Sequence, residues 1–192
     1  MMDKHNKINY FEKMKLLISF SVSDISTAKE LISSEVLSFK ENSNDAENIF
    51  NEIKTNLAKD YFTPFEREDI FIISLRLRDL YSNINLLCKY SAQSEFFGFP
   101  SYIVYLAEKL SAVVNSLSDI MNKLTEYPKQ DDLQSYFTQT ETLISELQKI
   151  YIDCLYRTKN NEYNHILYTA GRCKDICNET VQLLQYILIK NS

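Results

Sequence analysis

The 192-residue chain predicts an all-α protein, an up-and-down bundle of about six long antiparallel helices arranged as two three-helix units. Two observations carry this. Only two glycines and three prolines are present, too few for the tight turns of an all-β fold, and apolar residues recur at alternating gaps of three and four along most of the chain. A third observation is length, which suits one ordinary domain, taken here as 1–192 with pseudo-repeat halves of roughly 8–90 and 102–190.

The first helix is expected around residues 8–38, with Leu17, Phe20, Ile25, Leu31, Ile32 and Val36 as its apolar positions. ENSNDA at 41–46 breaks the pattern and offers Asn44 or Asp45 as the cap of a second helix that ends near Phe62. The stretch KDYFTPFEREDI at 59–70 then cuts the helical pattern, because a proline inside a helix removes a hydrogen bond and clashes with the preceding turn. A third helix should restart there with Thr63 as N-cap, Pro64 in the first helical position and Glu66 completing a capping box; Glu66, Glu68 and Asp69 suit the positive end of its dipole. Arg67 is assigned to lock this helix start to a neighbouring helix.

Ile70, Ile73, Leu77, Leu80, Ile84 and Leu87 form the seam of that third helix. Ile103, Leu106, Leu110, Val113, Leu117, Ile120 and Leu124 form the fourth. Leu133, Phe137, Thr140, Ile144, Leu147, Tyr151 and Cys154 form the fifth, and Cys173, Cys177, Thr180, Leu184 and Ile187 the sixth. The turn-forming stretches 95–101, 125–132 and 158–164 separate them, which makes neighbours antiparallel. In the first of these, Phe96, Phe97 and Phe99 around Gly98 read as a plug under the helix ends. The competing reading is an exposed docking patch.

Charge and motif content narrow the function. A net charge of −5 without a basic stripe argues against a nucleic-acid partner. The N-terminal stretch has no apolar signal segment and LLISFSV is too short to span a bilayer, so a cytoplasmic protein, peripheral to a membrane at most, is expected. Cys88, Cys154, Cys173 and Cys177 suit that compartment as reduced thiols, and a lone C-x3-C is not a zinc spacing. Only His5 and His165 are present, and His5 falls in the N-terminal tail, which leaves a single candidate base for a catalytic triad; Gly98 and Gly171 cannot build a phosphate cradle, and the Glu-x-x-His on each of two helices that a di-iron centre needs is not found, so the chain is read as non-enzymatic.

An internal echo links AENIF at 46–50 with IDCLY at 152–156, and places Asp79 against Asp175. The segment YFTPFEREDI, followed by SLRLRDLYSNI, resembles the most recognisable stretch of the PhoU-like phosphate-transport-regulator family, in the short branch associated with phosphate permeases. IDCLYR at 152–157 and DICNETVQLLQYILIKNS at 175–192 resemble two further segments of that family, and the likeness runs from about residue 10 to the end.

That resemblance implies a PhoU-like bundle whose relatives carry metal on the outside of each three-helix unit, held by paired acids spaced E-x-x-x-D and by an Asp-Asp-x-x-Asp segment. Here Glu47 holds an acid place with Ser43 as its partner, and Asp79 is flanked by Arg78 and Ser82 where acids are expected. Asp153 and Asp175 hold theirs with Lys149 and Gly171 as partners. The candidate metal residues are therefore Glu47, Asp79, Asp153 and Asp175, with no cofactor expected beyond a weakly held ion, since a hard cation wants several carboxylate oxygens. The implied function is an accessory or regulatory protein of phosphate transport acting through protein contacts, with a phosphate permease or another regulatory protein as partner and a homodimer as an open option. The alternative is a helical interaction scaffold that has lost metal binding and the phosphate-linked role.

Overall fold

The structure is a computed structural model and describes residues 9–33, 45–60, 63–93, 98–124, 133–158 and 163–191. Six helices are present among these residues: α1 (Tyr10–Ser33), α2 (Asp45–Leu57), α3 (Arg67–Ala92), α4 (Ser101–Leu124), α5 (Leu133–Arg157) and α6 (Asn164–Lys190). At 1.5 Å per residue the longest, α6, runs about 40 Å.

Side-chain pairs fix the directions. In the first unit Lys13 of α1 pairs with Glu52 of α2 at 2.7 Å and Phe50 of α2 meets Phe71 of α3, while Phe20 and Asp24 of α1 lie level with Tyr81 and Asn85 of α3. Helices α1 and α3 are therefore parallel, with α2 running back between them. The second unit repeats this: Lys109 and Ser116 of α4 bond Glu146 and Thr140 of α5, and Gln148 and Glu141 of α5 bond Lys174 and Gln185 of α6. The two units join through α1 on α4 and through α3 on α6. Lys190 at the end of α6 reaches Glu66 and Asp69 at the start of α3, at 2.5 and 3.6 Å, and at the far end His165 stacks on Tyr90. Helices α1, α3, α4 and α6 form the centre, with α2 and α5 laid on the outside of their own units.

The seams are where the periodicity puts them. Every seam residue named above for α3, α4 and α6 is buried, as are those of α5 apart from the half-buried Tyr151, and one apolar cluster draws on all six helices. Burial of this kind contributes about 25 cal/mol per Å² of apolar surface and is the main force holding the bundle. Met14, Ile18 and Asp24 of α1 are also buried, which the expected pattern for this helix omitted. Among the described residues no helix is long and apolar enough to cross a membrane.

Two local expectations are corrected. Helix α2 stops at Leu57, five residues short of Phe62, in a turn where the N–H groups of Lys59 and Asp60 both donate to the Asn56 carbonyl. The cut before α3 is real, but Thr63 does not cap it. Its hydroxyl donates to the Phe65 carbonyl at 2.6 Å, and α3 begins at Arg67 with Glu66 in the N-cap position and without a side-chain cap bond. The reason is Phe65, whose ring is buried edge-on against Phe11 at 5.3 Å; anchoring it holds residues 63–66 in a bend and delays the helix by one turn. The first helix is described only to Ser33, so its expected stretch to residue 38 lies outside the described residues, as do Phe96 and Phe97 of the aromatic turn. Phe99 is described, packs on Tyr163 at 5.9 Å, and follows Gly98 at φ 85°, a left-handed conformation that favours glycine.

Candidate functional site

Three of the acids singled out from the sequence, Glu47, Asp79 and Asp175, sit on the α2–α3 and α5–α6 surfaces, and each surface carries a base beside its acid: Arg78 in a place where the resemblance implies a carboxylate, and Lys174 in one where it implies none. On the first, Glu47 of α2 and Asp79 of α3 converge on Arg78. The Arg78 guanidinium lies 3.8 Å from Glu47, donates to Asp79 at 2.6 and 3.1 Å, and stacks over the buried Phe50 ring at 4.6 Å. Ser82, in the third place of the segment, turns back to its own helix and donates to the Arg78 carbonyl at 3.1 Å. Ser43 lies outside the described residues.

On the second surface Lys174 takes the part of Arg78. Its ammonium donates to Asp175 at 2.7 Å and to Gln148 of α5, and lies 5.7 Å from the centre of the Tyr151 ring. Gly171 makes room for that ring. A Cβ at 171 would stand 2.7 Å from the Tyr151 Oη and 2.8 Å from its Cζ, so an acid at this position is sterically excluded while the ring is in place. Burial, with the charge of Asp175 second, raises the Tyr151 phenol and keeps it neutral.

Asp153 does not join Asp175. It pairs with Arg157 one turn along its own helix at 2.7 Å, on the outward face of α5. The Gln148–Lys174 and Tyr151–Gly171 contacts set the α5–α6 register, in which Asp175 stands level with about residue 147, roughly 9 Å along the axis from Asp153. Lys149 is likewise exposed on the outward face. Of the four candidates, the structure thus gathers Glu47 with Asp79 and leaves Asp153 and Asp175 apart.

The two surfaces share one design: an acid, the base just before it in sequence, and an aromatic ring from the neighbouring helix beneath that base. Arg78–Asp79 on Phe50 matches Lys174–Asp175 on Tyr151. Phe50 therefore corresponds to Tyr151, not to Tyr156 as the sequence echo suggested. Sequence reasoning missed Phe50, Tyr151 and Lys174; the adjacent base–acid pairs at 78–79 and 174–175 were the available signal.

This donor set does not fit a multinuclear cluster of hard cations. Each surface offers two or fewer gathered carboxylates with a base in hydrogen-bond contact, and no group of three or more His, Cys, Asp or Glu side chains placed to hold a metal occurs among the described residues. Between charges about 4 Å apart near a protein surface the interaction is a few kcal/mol, so Arg78 and Lys174 each oppose an incoming cation.

The thiols carry no better site. Cys88, Cys154, Cys173 and Cys177 are all buried and free. Burial pushes Cys88 and Cys177 up to about 12 and Cys154 up to about 11, and raises Cys173 well above the ordinary thiol value, the opposite of what a nucleophile needs.

Arg67 donates to the backbone carbonyl of Asp60, while the Tyr10 hydroxyl of α1 donates to the Asp60 carboxylate. It thus ties the start of α3 to the turn after α2, and α1 is held to the same residue.

The topology is a six-helix, two-unit bundle, and its likeness to a solved structure gives the fold as PhoU-like. A crystal structure of a PhoU-like protein from Shewanella oneidensis MR-1 superimposes on it with a TM-score of 0.57 over 94% of this chain and 96% of that one, at 12% sequence identity. No protein-family model and no curated protein sequence matches the chain.

Proposed function

We propose that the chain is a non-enzymatic accessory or regulatory protein of phosphate transport that works through protein contacts, with a phosphate permease or a regulatory protein as its partner. The fold shared with a PhoU-like protein and the TPFEREDI segment support the phosphate link. The observation that carries the mode of action is that both outer surfaces hold a base, Arg78 or Lys174, clasped between an acid and an aromatic ring. Side chains committed in this way fasten the outer helix to the centre, and they leave partner recognition to exposed residues around them.

Metal has no required part in this reading, and at most a weakly held ion accompanies Glu47 and Asp79. The second reading, a scaffold that kept the fold and left the phosphate-linked role, is favoured by the same clasped bases. Affinity capture with a phosphate permease from the same organism as bait separates the two. Capture that survives a chelator supports the first reading, capture abolished by the chelator returns metal to the mechanism, and no capture with unchanged phosphate uptake on gene deletion supports the scaffold.

A further inference from the structure

Seven large apolar side chains of the second unit are exposed among the described residues, against Leu16 and Leu86 in the first. Five of the seven, Tyr105, Ile152, Leu155, Tyr156 and Tyr168, gather where the end of α5 lies between the starts of α4 and α6, with Tyr156 84% exposed and Tyr168 68%. Concentrations of this kind mark interaction surfaces.

The charges beside the patch say what covers it. Lys149 and Asp153 lie on the outward face of α5 with Ile152 and Tyr156, and Glu146 and Arg157 border them. If two α5 helices pair antiparallel about a two-fold axis, one register sets Arg157 opposite Glu146 of the second copy and Lys149 opposite its Asp153. In that register the axis falls beside Ile152, so the apolar residues take the centre and the charges the rim, as in protein interfaces generally. A two-fold contact must be complementary to itself, and this face is. Lys149 has no ion-pair partner among the described residues. The pairs that hold Asp153 to Arg157 and Glu146 to Lys109 are exposed, and exposed pairs exchange at little cost.

We propose that the C-terminal half of α5, flanked by Tyr105 and Tyr168, is a self-association face that pairs antiparallel with the same face of a second copy. This goes beyond the phosphate-transport reading and stands or falls separately from it. The patch is small, of the order found in weak dimers that bury less than about 1,200 Å² in total.

Sedimentation equilibrium of the full chain tests it. The expected mass rises from the single-chain 22.5 kDa toward twice that value as concentration is raised to the order of 100 µM, the range of a weak dimer. Tyr156→Ser, at an exposed position and with its folding checked by circular dichroism, should weaken the dimer about tenfold or more, as loss of an interface aromatic does. Lys149→Asp should weaken it too, and Lys149→Asp combined with Asp153→Lys should restore it. A single-chain mass at every concentration, a dimer indifferent to Tyr156→Ser, or a double variant no tighter than Lys149→Asp alone would each overturn the proposal.

Discussion

Replacing Gly171 by alanine separates the packing described for the α5–α6 surface from an ordinary helix position. In a helix interior alanine is favoured over glycine by about 1 kcal/mol, so at an open site the variant should gain that amount. At 171 the new methyl would stand 2.7 Å from the Tyr151 Oη and 2.8 Å from Cζ, closer than real Cβ contacts, and 3.1 Å from Cε2, which is tight. The contact involves ring atoms as well as the tip, and the ring is half-buried with Lys174 over it, so it cannot swing away without breaking that arrangement. Overpacking costs about 1–3 kcal/mol, which cancels or exceeds the propensity gain and leaves a net loss of about 0–2 kcal/mol. For a chain of this size that is a fall of up to roughly 8 °C in Tm at 2–4 °C per kcal/mol. The same change made in a Tyr151→Ala background should recover the full gain of about 1 kcal/mol. Thermal or urea unfolding of the four proteins closes the cycle. Stabilisation by Gly171→Ala in the presence of Tyr151, equal to that in its absence, would refute the claim that the ring fills this place.

Further outcomes follow from the same contacts. Arg78→Met removes a half-buried ion-pair cluster and a stacking contact on Phe50, and should lower stability by about 1 kcal/mol in urea melts at low salt, with a smaller loss at high salt. Phe65→Ala should cost about 3–5 kcal/mol because the ring is buried, whereas Thr63→Ala should cost no more than about 1 kcal/mol, the net worth of one turn hydrogen bond; the reverse ranking in urea melts would restore Thr63 as the controlling residue. The buried thiols make a pH prediction. Their folded values, near 11–12 for three of them, exceed the unfolded value, so the unfolded chain loses thiol protons first; stability is fully present below the unfolded thiol pKa of about 8.5 and falls as pH rises toward 12. Tm should therefore decline above about pH 9, and a serine replacement of Cys177 should flatten that decline.

How much of this was legible in the sequence depended on which forces decide each feature. The seams of α3 to α6 could be read because periodic burial is repeated over many residues and no single side chain can overturn it. The start of α3 was misread because the local rule, Thr63 with Glu66, concerns a bond worth about 1 kcal/mol, and the burial of Phe65 outweighs it. The end of α2 was placed too late because Phe62 continues an apolar pattern that the backbone leaves at Leu57. The internal echo aligned Phe50 with Tyr156 because it compared strings at a fixed offset. Phe50 precedes Arg78 by 28 residues and Tyr151 precedes Lys174 by 23, a difference that lies mostly in the unequal connections before α3 and α6, so only three-dimensional pairing reveals the match. The acids themselves were legible; that Arg78 and Lys174 turn toward them, and that Asp153 turns away, required side-chain positions.

The account turns on bases of the chain's own occupying the two outer surfaces. Its most direct test is the metal content of protein purified without chelators or metal-affinity resin, with Tm measured before and after a chelator. The account predicts fewer than one tightly bound iron or zinc per chain and an unchanged Tm, because the gathered carboxylates on each surface number about two or fewer against one clasped base. Two or more tightly held ions per chain, lost together with stability on chelation, would contradict it.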